Sequence, residues 1–402
     1  MSRRAVRTRP FDPVDVVALA PPSGSVLWVG PDTKLVGWHL EHIDVGRGPG
    51  RFARASEMLQ SFFEDLEVDD EVGLSGTGPL AFASFTFDDA SGGSVLTIPR
   101  VIVGTRHSIA WVTTIGDEEV PEFPNASDHR VPKIRYAGTS VGEIDWLEAV
   151  ETAVAEIRSG ALQKVVLARD VQVWAEEPFD VRALAARLTR RFPDCFTFVS
   201  DGLVGATPEL LARRTGTTVE SLVLAGSARR SGDDAEDEAI GKELLESLKD
   251  THEHRLALVS VVERLGAICS DLHVDTEPWL LKLANVQHLA TSISGTLDDD
   301  RTVLEIVGSL HPTASVCGTP SQTALEVIRT LEKVGRGRYA GPIGWTDAHG
   351  NGEFGLALRC ADVYDTRARL WAGNGIVGAS VPETELEETR LKLRAMQSAL
   401  EN

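Results

Sequence analysis

The chain is poor in cysteine and in basic residues. Its four cysteines, among 402 residues, form no CxxC pair and are too scattered for a disulfide framework or a cysteine-based zinc site. Acidic residues number 60 and basic residues 40, and the resulting net charge of −20 argues against binding a nucleic-acid backbone. The same negative charge repels anions, so an anionic substrate would need a local basic group or a bound cation.

Long apolar runs and nucleotide-binding loops are missing as well. The apolar stretch near the N-terminus is short and interrupted by acids, so we expect no signal peptide, no membrane span and a cytoplasmic protein. No GxxxxGK[ST] or HExxH sequence occurs. The glycines at 373, 375 and 378 have the GxGxxG spacing, but the acid that a dinucleotide site carries about 20 residues further on is missing.

Hydrophobic periodicity predicts helices and strands without a strict βαβ rhythm, which favours an α+β fold. The β-branched run from Leu162 to Trp174 is typical of a strand. A loop at Pro121–Lys133 separates residues 1–135 from residues 136–402, and the two parts could still share a single structural domain. Helices are predicted near Ala53 to Leu66, from Ile144 to Gly160, at Val181–Arg191, from Glu238 to Ile268 and from Glu383 to Leu400.

Two pairs of carboxylates occur at helical spacing. Asp250 and Glu253 stand three residues apart, as do Glu385 and Glu388, so each pair shares one face of its helix. Two such faces brought together would form an oxygen-rich site for a hard cation such as Mg²⁺. Spacing alone does not decide whether these carboxylates bind a metal ion, because solvated acidic faces are the commoner outcome in an acidic protein.

Three charged residues stand inside apolar stretches, where charge is costly unless it has a partner. Lys164 lies either on a polar strand face or in a pocket where partial desolvation would let it act as a base. Glu209 is either a carboxyl of raised pKa suited to acid catalysis or an N-terminal helix residue that follows Pro208. Arg359 needs a carboxylate partner from the protein or from a ligand.

Eight motifs, taken together and in this order, resemble the chorismate-utilising enzymes, which include isochorismate, salicylate, anthranilate and aminodeoxychorismate synthases. The resemblance covers Leu147 to Asn402 well and the N-terminal third weakly. It implies the chorismate-binding α+β fold, with large mixed or antiparallel sheets and helices packed outside. The motifs are KVVLARD, GATPELLARR, LAGSARR, KDTHEHRLALV, VQHLATSISG, LHPTASVCGTP, YAGPIGWTDAHGNGEFGLALR and AGNGIVGASVPETELEETRLK.

The resemblance implies that Mg²⁺ binds the ring carboxylate of chorismate. Glu253 and Glu388 match the metal ligands of the family, and Asp250 and Glu385 match the acids that flank the ion. A bound cation would turn this acidic site into one that accepts an anion.

Chorismate carries a second carboxylate on its enolpyruvyl arm, which the resemblance assigns to Arg359 and the hydroxyl of Tyr339. Lys392 would help to neutralise the ring carboxylate, and His288 matches a histidine near the ring. The glycines at matching positions would let the backbone approach the substrate. The remaining matches to substrate-binding positions are Gly226, Ser227, Ser315, Gly373 and Gly375.

The implied reaction adds water at ring C2 and expels the hydroxyl at C4. By resemblance, Lys164 is the base that activates water and Glu209 is the acid that protonates the leaving hydroxyl. Family members that use ammonia carry glutamine where Lys164 stands, and aminodeoxychorismate synthases carry lysine where Ala225 stands. The chain therefore resembles the members that use water.

Within that group, HPT and GPIGW favour an isochorismate synthase, whose product feeds menaquinone or siderophore synthesis. Salicylate synthase, which goes on to eliminate pyruvate, is the alternative, because Tyr339 and Ser315 are more polar than the residues of some isochorismate synthases. A non-catalytic chorismate-binding protein is a third interpretation, opposed by the joint presence of Lys164, Glu209 and Arg359. The acidic surface favours a monomer with chorismate as its partner, and no nucleic acid or membrane.

Overall fold

The computed structural model describes residues 3–12, 15–118 and 132–401, so the predicted loop at Pro121–Lys133 lies largely outside the described residues. The described strands are β1 (Arg4–Phe11), β2 (Ser25–Val29), β3 (Thr33–Asp44), β4 (Leu66–Asp70), β5 (Leu80–Ser84), β6 (Val95–Arg106), β7 (Ile109–Ile115), β8 (Ile134–Gly138), β9 (Lys164–Ala175), β10 (Phe196–Ser200), β11 (Leu203–Thr207), β12 (Leu210–Thr215), β13 (Thr218–Arg229), β14 (Cys269–Val274), β15 (Trp279–Lys282), β16 (Val286–Leu297), β17 (Gly318–Thr319), β18 (Pro342–Asp347), β19 (Gly352–Leu356), β20 (Cys360–Tyr364) and β21 (Arg367–Ile376).

Helices are interspersed among these strands. They are α1 (Val16–Leu19), α2 (Arg51–Glu64), α3 (Glu143–Arg158), α4 (Val181–Arg191), α5 (Asp234–Glu246), α6 (Leu248–Gly266), α7 (Val303–Leu310), α8 (Ser321–Leu331) and α9 (Pro382–Leu400). The predictions of α2, α3, α4, α9 and the strand β9 are confirmed to within a few residues. Among the described residues, no helix is both long and apolar enough to cross a lipid bilayer.

Strand pairing divides into two arms at β6. The first arm runs from β6 through β3, β2, β10, β11, β20 and β21 to β9. The second runs from β6 through β5, β18, β19, β12 and β13 to β16. These pairings are antiparallel, whereas β1 pairs with β4 in parallel. The predicted fold class, an α+β fold with large mixed or antiparallel sheets, is therefore confirmed.

The first arm is buried on both faces. Every residue of β2 is buried, with Trp28 in one apolar cluster and Leu27 in the other, which explains why its sequence is almost continuously apolar. Helix α9 packs on β21 and places Leu393 and Met396 in the second cluster. The hydrophobic packing of α9 therefore also fixes the position of Glu385 and Glu388, which lie nearer the start of the same helix.

The single long helix predicted from Glu238 to Ile268 is wrong. Two helices, α5 and α6, meet at Ser247, whose backbone is extended and whose side chain accepts a hydrogen bond from the amide of Asp250. A serine that caps a helix N-terminus satisfies an amide that would otherwise lack a partner, so a new helix starts there. Asp250 and Glu253 consequently lie in the first two turns of α6.

Candidate functional site

A pocket of about 710 Å³, measured to its open mouth, lies between the two arms of the sheet. The first arm contributes residues of β9 and β21, and the second contributes residues of β13 and β16. The predicted site residues that line the pocket are Glu209, Gly226, Ser227, Glu253, His288, Ser315, Tyr339, Arg359, Gly373, Gly375 and Lys392.

Glycines keep the pocket open at two places. Gly226 has a φ of +75° at an irregularity of β13, where the pairing with β16 shifts between Ala225 and Ser227. A side chain at Gly375 would collide with the carboxylate of Glu253. The group that approaches Gly375 is thus the protein's own glutamate, and the close approach of substrate to these glycines stays a prediction.

The predicted metal acids meet at one end of the pocket. Helices α6 and α9 bring their first turns together, so that Glu253, Glu385 and Glu388 all interact electrostatically with the ammonium of Lys249. Burial raises the pKa of Asp250 and of Glu385, and neighbouring carboxylates raise both further. Within the described ranges, however, no group of three or more acidic, histidine or cysteine side chains stands ready to hold a metal ion.

Three of the four carboxylates form ion pairs with lysines instead. Glu385 accepts a hydrogen bond from Lys249 at 2.6 Å, and Glu388 pairs with Lys392 at 2.9 Å. Lys164 Nζ lies 3.1 Å from Glu253 Oε1. Burial favours the neutral form of Glu388, but Lys392, Asn374 and Lys249 together outweigh burial and hold the pKa of this carboxyl below its usual value. These lysines neutralise most of the negative charge that the four acids concentrate here.

Lys164 is fully buried, at 0% exposure, which rules out the polar strand face. Its approach to Glu253 satisfies the distance of an ion pair but not the angles of a hydrogen bond, and its ammonium has no hydrogen-bond partner among the described residues. A buried donor without a partner is costly, so its capacity is available for a ligand.

Glu209 lies between β11 and β12, outside any helix, so its interpretation as a helix N-terminal residue is wrong. Burial raises the pKa of its carboxyl to about 7, although Ser315, Lys164 and Lys392 each favour the charged form. Its one side-chain hydrogen bond within the described residues comes from Ser315 Oγ, at 2.6 Å. A carboxyl in this state can hold a proton near neutral pH and release it to a bound molecule.

Arg359 has a histidine as its partner, whereas the sequence predicts a carboxylate. Its Nη2 donates to His288 Nε2 at 2.8 Å, and no acidic side chain among the described residues forms an ion pair with it. Because arginine only donates, His288 Nε2 must be unprotonated, and Nδ1–H faces Ser227 Oγ at 3.0 Å. Burial and the neighbouring Arg359 hold the pKa of His288 well below its usual value, so the ring is neutral. The carboxylate for Arg359 is left to a ligand.

The sequence does not single out several residues that lie in the pocket wall or beside it. Trp371 stacks on Tyr339, with ring centroids 5.4 Å apart, and forms part of the wall. Asn374 is buried and donates to Glu385 at 2.6 Å while its side-chain oxygen accepts from Lys392. The sequence offers one signal for Asn374, because it stands between Gly373 and Gly375, which are both predicted site residues. In the structure its side chain links Glu385 to Lys392. Lys249, directly before Asp250, carried a similar signal.

Comparisons with known protein families and known sequences agree on the same group of relatives. A family model described as chorismate binding enzyme matches residues 93–401. Isochorismate synthase DhbC of Bacillus subtilis is 40% identical over 268 residues, which are 64% of this chain and 67% of that protein. Isochorismate synthase MenF of the same organism is 32% identical over 388 residues, covering 86% of this chain and 82% of the relative.

The three-dimensional comparison extends the match to the N-terminal part. The solved structure of MenF, the menaquinone-specific isochorismate synthase from Escherichia coli, superposes with a TM-score of 0.83 at 25% identity, over 99% of this chain and 95% of that one. The fold, the pocket between the sheet arms and the extent of the family match agree with one another. The chain is a member of the chorismate binding enzyme family.

Proposed function

We propose that this protein is an isochorismate synthase, which converts chorismate to isochorismate by adding water at C2 and expelling the hydroxyl at C4. The observation that carries the proposal is a buried lysine with unused hydrogen-bonding capacity, 3.1 Å from the pocket residue Glu253, together with a buried carboxyl in the pocket wall whose pKa is about 7. The relatives that bear the name isochorismate synthase support the same reaction.

In the proposed reaction, Lys164 acts as the neutral amine and takes a proton from the attacking water, and Glu209 gives its proton to the departing hydroxyl. The oxygen of one water is gained and another water leaves, so substrate and product are isomers. One turnover leaves Lys164 protonated and Glu209 ionised, which is the state from which the reverse reaction starts, and proton exchange with solvent restores the starting state for the next forward turnover. Arg359 binds the enolpyruvyl carboxylate, and this carboxylate supplies the negative charge that no described residue of the protein offers Arg359 in an ion pair.

We propose Mg²⁺ as the cofactor, held by Glu253 and Glu388 with Asp250 and Glu385 flanking. The donor set fits a hard cation, because all four groups are carboxylates on two adjoining helix starts. Metal binding would require Lys164, Lys249 and Lys392 to weaken their ion pairs with these acids. When bound, the ion would neutralise the ring carboxylate and orient it.

The deciding experiment incubates the purified protein with chorismate and Mg²⁺ and separates the products by chromatography. We expect isochorismate in reversible equilibrium with chorismate, loss of turnover in chelator, recovery with Mg²⁺, and no aminated product when ammonium is added. Turnover that persists after thorough chelation would contradict the metal proposal. Enzyme-dependent pyruvate and salicylate in equal amounts would instead establish a salicylate synthase.

We also expect a monomer, because a net charge of −20 makes like surfaces repel each other, and light scattering during size-exclusion chromatography checks this. A cytoplasmic location stays a prediction, and the four buried, unpaired cysteines fit a reducing compartment.

A further inference from the structure

Two hydroxyl groups form a hydrogen-bonded row that ends on the carboxyl of Glu209. Ser315 Oγ is 2.6 Å from Glu209 Oε1, and Thr313 Oγ1 is 2.7 Å from Ser315 Oγ. Both residues belong to the connection between α7 and β17, which packs against the pocket. The connection is anchored independently, because the amide of Ala314 donates to Ser260 Oγ and Arg336 binds the carbonyl of Val316.

The chemistry of a hydroxyl gives this row a direction. When Glu209 is ionised, the single proton of Ser315 points to Oε1, and the oxygen of Ser315 can then accept the proton of Thr313. Oε1 is thereby occupied by the protein. Oε2 has no hydrogen-bond partner among the described residues, so it is the oxygen available to carry a proton toward a bound molecule.

We propose that Ser315 is a positioning residue for Glu209, which holds Oε1 and so presents Oε2 to the leaving hydroxyl, and that it does not contact the substrate. This inference rests on the proposed function for the acid role of Glu209. It replaces the substrate-binding role that the sequence resemblance implies for Ser315.

The charged groups that face Glu209 act differently from Ser315. Lys164, on β9, and Lys392, on α9, favour the ionised carboxyl through space, without a hydrogen bond to it. Ser315 contributes a directed bond that strengthens as Glu209 gives up its proton, because a hydrogen bond to a charged acceptor is stronger than one to a neutral acceptor. Loss of Ser315 should therefore change both the orientation of the acid and the pH at which it ionises.

The experiment compares Ser315→Ala, Ser315→Thr and Thr313→Val with the wild-type holoenzyme. For Ser315→Ala we expect kcat to fall ~10-fold, the alkaline limb of its pH profile to move up by about one pH unit, and KM to stay within about two-fold. Ser315→Thr keeps the hydroxyl and should restore the profile. Thr313→Val removes only the second hydroxyl and should shift the limb in the same direction by less.

A matched control and a direct readout separate this inference from the proposed function. Ser309→Ala removes an exposed hydroxyl, bonded to the carbonyl of Ile306 on α7, and should change neither kcat nor the limb. Infrared difference spectra follow the protonation of Glu209 without any turnover, with the Glu209→Gln variant identifying its band. We expect the midpoint of that band to rise in Ser315→Ala. An unmoved midpoint and limb, or a several-fold rise in KM alone, overturns the inference, whereas a wild-type protein that makes no isochorismate overturns only the proposed function.

Discussion

Buried charges are treated differently in two regions of the molecule. At the sheet junction, which we define by Trp28, Arg213 and Glu353, the glutamate is 2% exposed and accepts hydrogen bonds from Trp28 Nε1 at 2.8 Å and Arg213 Nε at 2.9 Å. In the pocket, Glu209 is 5% exposed, and within the described part of the chain its side chain accepts a hydrogen bond only from a hydroxyl, while the side chain of Arg359 donates only to a neutral histidine. Burial is similar, but at the junction an opposite charge bonds directly to the carboxylate, whereas the charged lysines near Glu209 form no hydrogen bond with it.

The difference shows how function can be recognised in a buried charge. Burying an ion costs free energy, which a folded chain normally offsets with an opposite charge and hydrogen bonds. The junction offsets this cost within the protein, and the pocket leaves part of it for a ligand. Two arginines on the pocket wall show the same contrast, because Arg336 binds Glu332 and two backbone carbonyls, whereas Arg359 binds no carboxylate of the described residues.

The largest expected effect concerns turnover. Lys164→Ala and Glu209→Gln should each lower kcat by ~10²–10⁴-fold, the usual contribution of a general acid or base, while the circular dichroism spectrum stays that of the wild type. Glu353→Gln, an identical change at the sheet junction, is the matched control and should leave kcat of the folded protein unchanged. Near-normal kcat in either pocket variant would remove that residue from the proposed chemistry.

The two arginines sharpen the comparison next. Arg359→Ala should lower kcat/KM by ~10²–10³-fold and affect both affinity and rate, because the carboxylate it binds is present throughout the reaction. Arg336→Ala should mainly lower the melting temperature, since it leaves Glu332 buried without its partner. Steady-state kinetics and thermal unfolding of both variants distinguish the roles. A stability loss in Arg359→Ala as large as that in Arg336→Ala would contradict the distinction.

Sequence alone predicts the parts of this site that are local in the chain. The three-residue spacing of Glu253 with Asp250 follows from one turn of helix, and the strand around Lys164 follows from β-branched residues. The contact of Arg359 with His288 joins residues 71 positions apart on different elements, so no local pattern encodes it. The break at Ser247 was missed because helical periodicity continues across it, and only the capping geometry ends the helix.

At the sheet junction, stability should respond where activity does not. Glu353→Gln keeps the size of the side chain but removes the charge that Arg213 Nε and Trp28 Nε1 share, and we expect a loss of about 3 kcal/mol in the free energy of unfolding. Arg213 retains Glu220 at 3.2 Å, which limits the loss. Denaturant titration measures it. A neutral effect would mean that the junction gains little from its charges.

The smallest expected effect is a gain in stability for Glu209→Gln, opposite in sign to the loss expected for Glu353→Gln, and it depends on pH. Burial raises the pKa of Glu209 from 4.5 to about 7, so between these two values the folded state keeps a proton that the unfolded state has released. Stability therefore falls as pH rises through this window, and above it the cost is at most about 3 kcal/mol. Glu209→Gln carries no ionisable group and avoids this cost. We expect unfolding free energies close to wild type at pH 4.5 and a gain of about 2 kcal/mol at pH 8, in denaturant titrations at both values. Glu353→Gln should lose stability at both, and a Glu209→Gln protein that behaved in the same way would show that the pocket carboxyl is stabilised within the chain after all.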